Sequence, residues 1–297
     1  MSVDKLIAHE KDVGGIPVAR MLPNHGKRTI GAWCFLDHAG PAIFEGNSQG
    51  LQVGLHPHTN LQTFTWMLEG EVLHKDSLGN QQTIRPGQVN LMTAGTGASR
   101  GISHTEQSVE GCDRLHAVQL WIALPMDTAI EPSFHHYPIL PTWSEHGVTY
   151  TITTGAYAGR QAATLQYSKL LGLDIQVTTA QTLHLEQQTG FEYGILVLRG
   201  RVEFAGEQYH PNELISLSAC ERDNTTNTIA LFADADSHFM LIGGEALPHP
   251  TVIWWNFIDQ DHAGLRQSVD DWNNHHHRFG DIALDGTQLE RLIAPIL

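Results

Sequence analysis

The chain has 297 residues, 41% of them hydrophobic and 16% charged. It is too apolar for a disordered polypeptide and long enough for one large domain or two ordinary ones. Its formal net charge of -15 disfavours direct contact with nucleic-acid phosphates, and the basic residues stand singly rather than in blocks.

No stretch approaches the ~20 apolar residues of a membrane-spanning helix. Residues 1–15 carry charges and no long apolar run, so they do not resemble a secretory leader. Cys34, Cys112 and Cys220 stand far apart without a C-x-x-C pair, which predicts reduced thiols in a cytoplasmic protein.

In chain order, residues 28–36, 63–68, 71–75, 82–85 and 115–123 read as strands. Ser77-Leu78-Gly79-Asn80 and Pro86-Gly87 supply turns between them. A second set follows at 149–154, 163–170, 194–198, 201–204 and 238–242. The segment between, with four prolines over 125–146, reads as a linker. The expectation is an all-β protein with two β-sandwich or jelly-roll barrels, over 1–125 and 147–297, joined by a linker at 126–146. An internal repeat supports two similar barrels: Phe64-Thr65-Trp66-Met67-Leu68-Glu69-Gly70-Glu71-Val72 aligns with Gly194-Ile195-Leu196-Val197-Leu198-Arg199-Gly200-Arg201-Val202. Near the end, Leu265, Val269 and Trp272 form one apolar stripe at i, i+4 and i+7. This predicts a short C-terminal helix, capped by Asp259 or Asp261 and packed on a barrel.

His56-Pro57-His58 is the sharpest local feature. Extended chain has a side-chain period of two, so both imidazoles face one way, and Pro57 opposes helix. His104-Thr105-Glu106 repeats the i, i+2 spacing. If the two segments pair, three imidazoles and one carboxylate converge inside the barrel, a donor set suited to a first-row metal with open positions. The glycine-rich segment Thr93-Ala94-Gly95-Thr96-Gly97 allows close backbone approach to such a pocket.

These segments, with Leu68-Glu69-Gly70-Glu71-Val72, His74-Lys75-Asp76-Ser77-Leu78-Gly79-Asn80, Arg85-Pro86-Gly87, Met92-Thr93-Ala94-Gly95 and Ser103-His104-Thr105-Glu106, occur in the order and near the spacing of the pirin family, which the chain resembles. Gln119-Leu120-Trp121, Leu124-Pro125, Gly243-Gly244-Glu245-Ala246-Leu247 and the final helix continue the resemblance. It implies a bicupin with one metal in the N-terminal cupin, held by His56, His58, His104 and Glu106. Fe(II) is the implied metal, with Zn, Ni, Cu or Mn as alternatives.

Two departures bear on the pocket. The family's usual Arg-Gly-Phe-Glu after H-P-H is Thr59-Asn60-Leu61-Gln62 here, and the loop over 96–101 is longer. Gln62 sits where cupins often supply a metal-binding Glu, and it cannot act as a carboxylate base.

In the second half, Glu186 and Gln188 stand at the offset from Gly200 that His56 and His58 have from Gly70. His184 lies nearby, but no His-x-Glu follows, so the C-terminal cupin reads as metal-free. Asp234 and Asp236 read as solvated loop residues. His275-His276-His277 and His135-His136 read as solvent-facing, the first able to hold adventitious nickel or zinc, and His74 reads as a surface residue. Trp66 and Trp121 read as core. No glycine loop precedes a helix in the manner of a nucleotide site.

The resemblance implies two functions. One is a quercetin 2,3-dioxygenase that opens a flavonol ring with dioxygen, releasing carbon monoxide, with Glu106 as general base. The other is a non-enzymatic, metal- or redox-linked regulator that binds a protein partner.

Overall fold

In the computed structural model, residues 2–46, 48–219, 228–284 and 286–297 are described. Period-two burial organises the strands. In Gln181–Glu186, for example, Leu183 and Leu185 are buried while Thr182, His184 and Glu186 are exposed. One face of each such strand meets a core and the other meets solvent. The result is two β-sandwich units, one short helix and no helix long and apolar enough to cross a membrane among the described residues.

The first unit comprises Met1–Glu10, Ala19–His38 and Ile139–Ala246. Its larger sheet has seven antiparallel strands in the order Val3–Ile7, Glu213–Leu217, Phe191–Arg199, Ser237–Glu245, Leu170–Val177, Val148–Thr154, Thr142–Glu145. Its smaller sheet orders Gln181–Glu186, Thr228–Ala233, Val202–Phe204 and Glu207–Tyr209. Leu173, Ile175, Ile195 and Phe239 of the first sheet pack with Leu183, Leu185, Phe204 and Leu231 of the second in one core.

The second unit comprises Lys11–Val18, Ala39–Pro138 and Leu247–Leu297. Its four-stranded sheet runs Gln52–His58, Ile102–Ser108, Val72–Asp76, Gln81–Ile84. A second antiparallel run orders Ser133–Tyr137, Val89–Thr93, Leu61–Glu69 and Arg114–Ala123. Met67, Val72, Ile84, Leu115 and Ala117 form part of the core between them.

These units differ from the contiguous halves expected over 1–125 and 147–297. Val3–Ile7 pairs with Glu213–Leu217, so the chain start joins the first unit. The C-terminal helix, expected with the C-terminal cupin, belongs with residues 39–138 instead. The linker expectation also changes: Ser133–Tyr137 pairs with Val89–Thr93, and Thr142–Glu145 pairs with Val148–Thr154. Both strands lie at sheet edges, with Pro132, Pro138 and Pro141 outside them, where a missing N–H removes no interior ladder bond. The strand expected over 28–36 is shifted to Trp33–Ile43, after isolated bridges at Asn24–Lys27 and Ile30–Trp33.

The helix spans His262–Asn273, and of its two candidate caps Asp261 serves: its Oδ1 accepts from the N–H of Ala263 at 2.8 Å and of Gly264 at 2.9 Å. Leu265, Val269 and Trp272 are buried on one stripe and pack with Leu55, Phe257 and Phe279. Leu55 lies immediately before His56, so the helix supports the strand that carries H-P-H. Cys34 is buried and Cys112 half-buried, and neither is in a disulfide; Cys220 lies outside the described residues.

The first unit also holds a polar cluster in which His38, Asp174 and His238 are buried and Asn212 is exposed. His38 Nδ1 meets Asn212 Oδ1 at 2.7 Å, and His238 Nε2 meets Asp174 Oδ2 at 2.6 Å. Burial lowers the His38 pKa below 6.5, with the charge of His238 adding to the shift and the Asn212 hydrogen bond opposing it.

Two outcomes are expected. Trp272 is fully buried, and its Nε1 donates to Leu292 O at 2.8 Å. Trp272→Ala should therefore cost about 3–5 kcal/mol in urea unfolding; a loss under about 1 kcal/mol would remove the helix from the core. His38 binds a proton less readily folded than unfolded. Its contribution to stability should be lost as pH falls below about 6.5, because the unfolded chain then takes up the proton first. The urea midpoint of His38→Gln should consequently depend less on pH between 7 and 5 than that of the wild type.

Candidate metal centre

The site stands on the inner face of the four-stranded sheet. Ile102–Ser108 is flanked on both sides, and residues directly opposite in antiparallel pairs share a face. His104 lies opposite His56 on one side and Asp76 on the other, and Glu106 lies opposite His74. The register slips between His104 and Glu106, so Glu106 lies opposite Val53. A bulge of this kind re-aims side chains, a common device next to active sites. Six polar side chains are thereby set on one face: His56, His58, His74, Asp76, His104 and Glu106.

His56, His58 and His104 offer ligand atoms all within 4.8 Å of one another, and all three residues are buried. His56 Nδ1 lies 2.8 Å from Gly54 O, and His58 Nδ1 lies 3.2 Å from Asn256 O. A carbonyl only accepts, so both rings carry their proton on Nδ1 and bare a lone pair at Nε2. Gly54 is constrained by close backbone approach, because a Cβ there would sit 2.2 Å from Glu290 O. The Nε2 atoms of His58 and His104 are 3.0 Å apart. For metal–nitrogen bonds of ~2.0–2.1 Å, two ligands at a right angle stand about 3.0 Å apart. The buried donor set therefore fits a first-row ion.

A proton is a poor substitute for that ion. Burial pushes the His56 pKa down to about 4; the Gly54 hydrogen bond opposes this, and the proximity of His74 adds a smaller lowering. His58 and His104 are driven well below 6.5, first by burial and then by the neighbouring imidazoles. Neutral imidazole is the form that binds metal.

Glu106 belongs to a second, overlapping group, in which its carboxylate and the rings of His74 and His104 offer atoms within 4.8 Å of one another. Burial raises its pKa above 4.5, partly opposed by the proximity of His74. His74, read from sequence as a surface residue, is only 3% exposed. Its Nε2 lies 3.2 Å from Asp76 Oδ2, its Nδ1 lies 3.2 Å from His104 Nδ1, and Phe134 stacks on it at 4.5 Å. Val72–Asp76 alternates in burial with His74 and Asp76 inward. The i, i+2 spacing of His74 and Asp76, the same as in the other two pairs, is the signal that locates them. Asp76 is held ionised: burial opposes this, but hydrogen bonds from His74 and Asn80 outweigh it and lower its pKa.

The other candidates fall outside the centre. Glu186, Gln188 and His184 are exposed, and the inward positions of that strand hold Leu183 and Leu185. Asp234 is paired with Arg201 at 2.7 Å, and Asp236 is exposed. His275, His276 and His277 are exposed. His135 and His136 are half-buried in an edge strand rather than solvent-facing, and His136 Nδ1 meets Asn90 Oδ1 at 2.7 Å. Trp66 and Trp121 are buried, and Trp121 packs edge-on against His58 at 5.1 Å. Among the described residues, the candidate metal-holding groups are the two that share His104.

Residues 15–122 match the Pirin family, and residues 172–280 match the Pirin C-terminal cupin domain. A Pseudomonas aeruginosa protein carrying a provisional quercetin 2,3-dioxygenase name is 48% identical over 283 residues, covering 95% of this chain and 86% of that protein. The chain belongs to the pirin family. It is a bicupin, as the resemblance implies.

An Acinetobacter baumannii crystal structure described as quercetin 2,3-dioxygenase is similar with a TM-score of 0.90 and 40% identity, covering 99% of this chain and 95% of the other. Escherichia coli YhhW, a bacterial pirin solved in complex with nickel(II), shares the fold at a TM-score of 0.63 and 18% identity, covering 83% and 100%.

The departures from the family's usual H-P-H continuation have local explanations. Asn60, at the family's Gly position, has φ 56°, a left-handed conformation that Asn tolerates better than most residues. Its side chain donates to Ile258 O at 2.7 Å and accepts from Gly97 N at 3.0 Å, which ties down the longer loop. Gln62 is buried and donates through Nε2 to Thr93 Oγ1 at 3.0 Å. Asn60, Gly97, Met126, Asp259, Gln260 and Arg278 line a cavity of about 450 Å³.

The centre predicts one metal ion per chain in the second unit. The double variant His56→Ala, His58→Ala should lose most bound metal in elemental analysis of untagged protein. Near-full occupancy in that variant would move the ion to His74, His104 and Glu106.

Proposed function

We propose that this pirin is a metal-dependent dioxygenase that opens the ring of a flavonol of the quercetin type. His56, His58, His104 and Glu106 hold the ion, and Glu106 serves as general base. The observation that carries the metal centre is the convergence of buried, neutral imidazoles, with two Nε2 atoms 3.0 Å apart. The flavonol class is supported by the quercetin 2,3-dioxygenase descriptions of the 48% and 40% identical relatives.

A bound first-row ion, Fe(II) first and Zn, Ni, Cu or Mn as alternatives, supplies Lewis acidity toward the 3-hydroxyl and adjacent carbonyl of the flavonol and toward dioxygen. Within the chain, Glu106 accepts the 3-hydroxyl proton on a carboxylate oxygen. Its burial favours this role, because a desolvated carboxylate with a raised pKa is a stronger base than one in water. Gln62 offers an amide where a second carboxylate would otherwise share that task. The buried imidazoles stay neutral and hold their Nε2 atoms toward one point. Trp121, against His58, keeps that ring from rotating and excludes water from one side. The protein acts on its aromatic substrate in the cytoplasm.

Glu106→Gln separates binding from chemistry. Three imidazoles still chelate, so the variant should keep much of its metal. General-base catalysis contributes ~10²–10⁴-fold, and flavonol-dependent oxygen uptake should fall by about that factor. Metal content and uptake are measured on the same samples. An unchanged rate at unchanged metal content would remove Glu106 from the chemistry, and a fully loaded wild type without uptake would favour the regulatory role over the enzyme.

A further inference from the structure

His104 differs from the other two imidazoles of the centre. His56 and His58 each face a carbonyl, which alone decides their tautomers. The Nδ1 of His104 faces another imidazole nitrogen, His74 Nδ1, at 3.2 Å. One of these two nitrogens must donate and the other accept, and the pair by itself has no preference. If His74 donates, His104 carries its proton on Nε2, the atom 3.0 Å from His58 Nε2, and no lone pair remains for a metal.

The choice is made one residue further out. Asp76 Oδ1 accepts from Leu78 N at 2.9 Å, Asn80 N at 3.1 Å and Asn80 Nδ2 at 3.0 Å, and Oδ2 accepts from Asn80 Nδ2 at 2.9 Å. A carboxylate so surrounded by donors is itself an acceptor. Oδ2 therefore takes the proton of His74 Nε2 in a hydrogen bond at 3.2 Å. A neutral imidazole has one N–H, so His74 Nδ1 is then an acceptor and His104 Nδ1 must donate. The lone pair of His104 Nε2 is left pointing at the centre.

We infer that His74 and Asp76 are positioning residues: the turn over 77–80, Asp76 and His74 form a directional hydrogen-bond chain that fixes His104 in its metal-binding tautomer. The inference rests on the metal-centre reading above. It also removes His74 from the candidate ligands, since a His74 Nδ1 that accepts from His104 is not a ligand, and leaves Glu106 unaffected. Partners of this kind orient metal-binding imidazoles, and their loss costs typically 10–100-fold in affinity.

Asp76→Asn inverts the chain with almost no change of shape. The three donors at Oδ1 hold the amide oxygen there, and the amide NH₂ takes the place of Oδ2, where Asn80 Nδ2 loses its second acceptor and keeps its bond to the oxygen. It donates to His74 Nε2, which forces His74 Nδ1 to carry the proton and His104 to carry its own on Nε2. His74→Phe instead removes the chain and leaves His104, in the metal-free protein, to donate from Nε2 to the bare His58 Nε2 3.0 Å away.

The test is ¹⁵N-histidine NMR on chelator-treated full-length protein, together with nickel(II) affinity by chelator competition. Wild type should show His104 protonated at Nδ1, and Asp76→Asn should show it at Nε2. Nickel(II) affinity should fall about 100-fold in Asp76→Asn and about 10-fold in His74→Phe. A purely structural role predicts the opposite order, because His74→Phe makes the larger change in shape. An unchanged His104 tautomer in Asp76→Asn, or affinity within twofold of wild type, would overturn the inference. Where Asp76→Asn does not fold, His74→Phe decides by the same spectrum, since retained Nδ1 protonation refutes the chain and movement of the proton toward Nε2 supports it. Failure of wild type to bind nickel(II) would count against the metal reading, while the spectrum of the metal-free protein still judges the hydrogen-bond chain.

Discussion

Pairing of Ile102–Ser108 on both of its edges is the constraint on which the centre depends. One strand edge places His104 opposite His56, and the other places it opposite Asp76. Antiparallel pairing makes such neighbours share a face. A slip of one residue in either register would turn the partner side chain out of the barrel. The bulge between His104 and Glu106 sets Glu106 opposite Val53 on one edge, while the regular pairing on the other edge sets it opposite His74.

Burial turns this geometry into a preference for metal. In water an imidazole takes a proton near neutral pH. On this sheet face desolvation and mutual repulsion lower all three proton affinities, while the lone pairs stay directed inward by Gly54, Asn256 and the His74–Asp76 pair. Two of those supports come from the sheet strands themselves. The third, Asn256, comes from the C-terminal segment, whose helix packs through Leu265 and Trp272 beside Leu55. The end of the chain thereby contributes to the centre by holding His58, which lies 198 residues before Asn256.

The two barrels share a strand pattern but not a lining. In the first unit the inward positions of Gln181–Glu186 are Leu183 and Leu185, and they fill a continuous apolar core with Phe204, Tyr209 and Phe239. In the second unit the corresponding kind of strand presents imidazoles. The same fold thus holds a packed core in one unit and a chelating face in the other, decided by the residue types at alternate positions rather than by the backbone.

Much of this was legible in the chain itself. Period-two alternation and turn residues marked an all-β protein, the repeat around Gly70 and Gly200 marked two barrels, and the spacing of His56 with His58 and of His104 with Glu106 placed each pair on one face. The stripe of Leu265, Val269 and Trp272 marked the helix. Those signals are local, set by the side-chain period of a strand or helix. What tertiary structure alone decided is non-local: that Val3–Ile7 pairs with Glu213–Leu217, that the proline-bounded segments become edge strands, and that the C-terminal helix belongs to the unit with the candidate metal centre. His74 shows the reason most directly. Its sequence neighbours, Lys75 and a turn, resemble a surface, yet its environment comes from His104 and Phe134. These lie 30 and 60 residues away, and only sheet pairing brings them beside it.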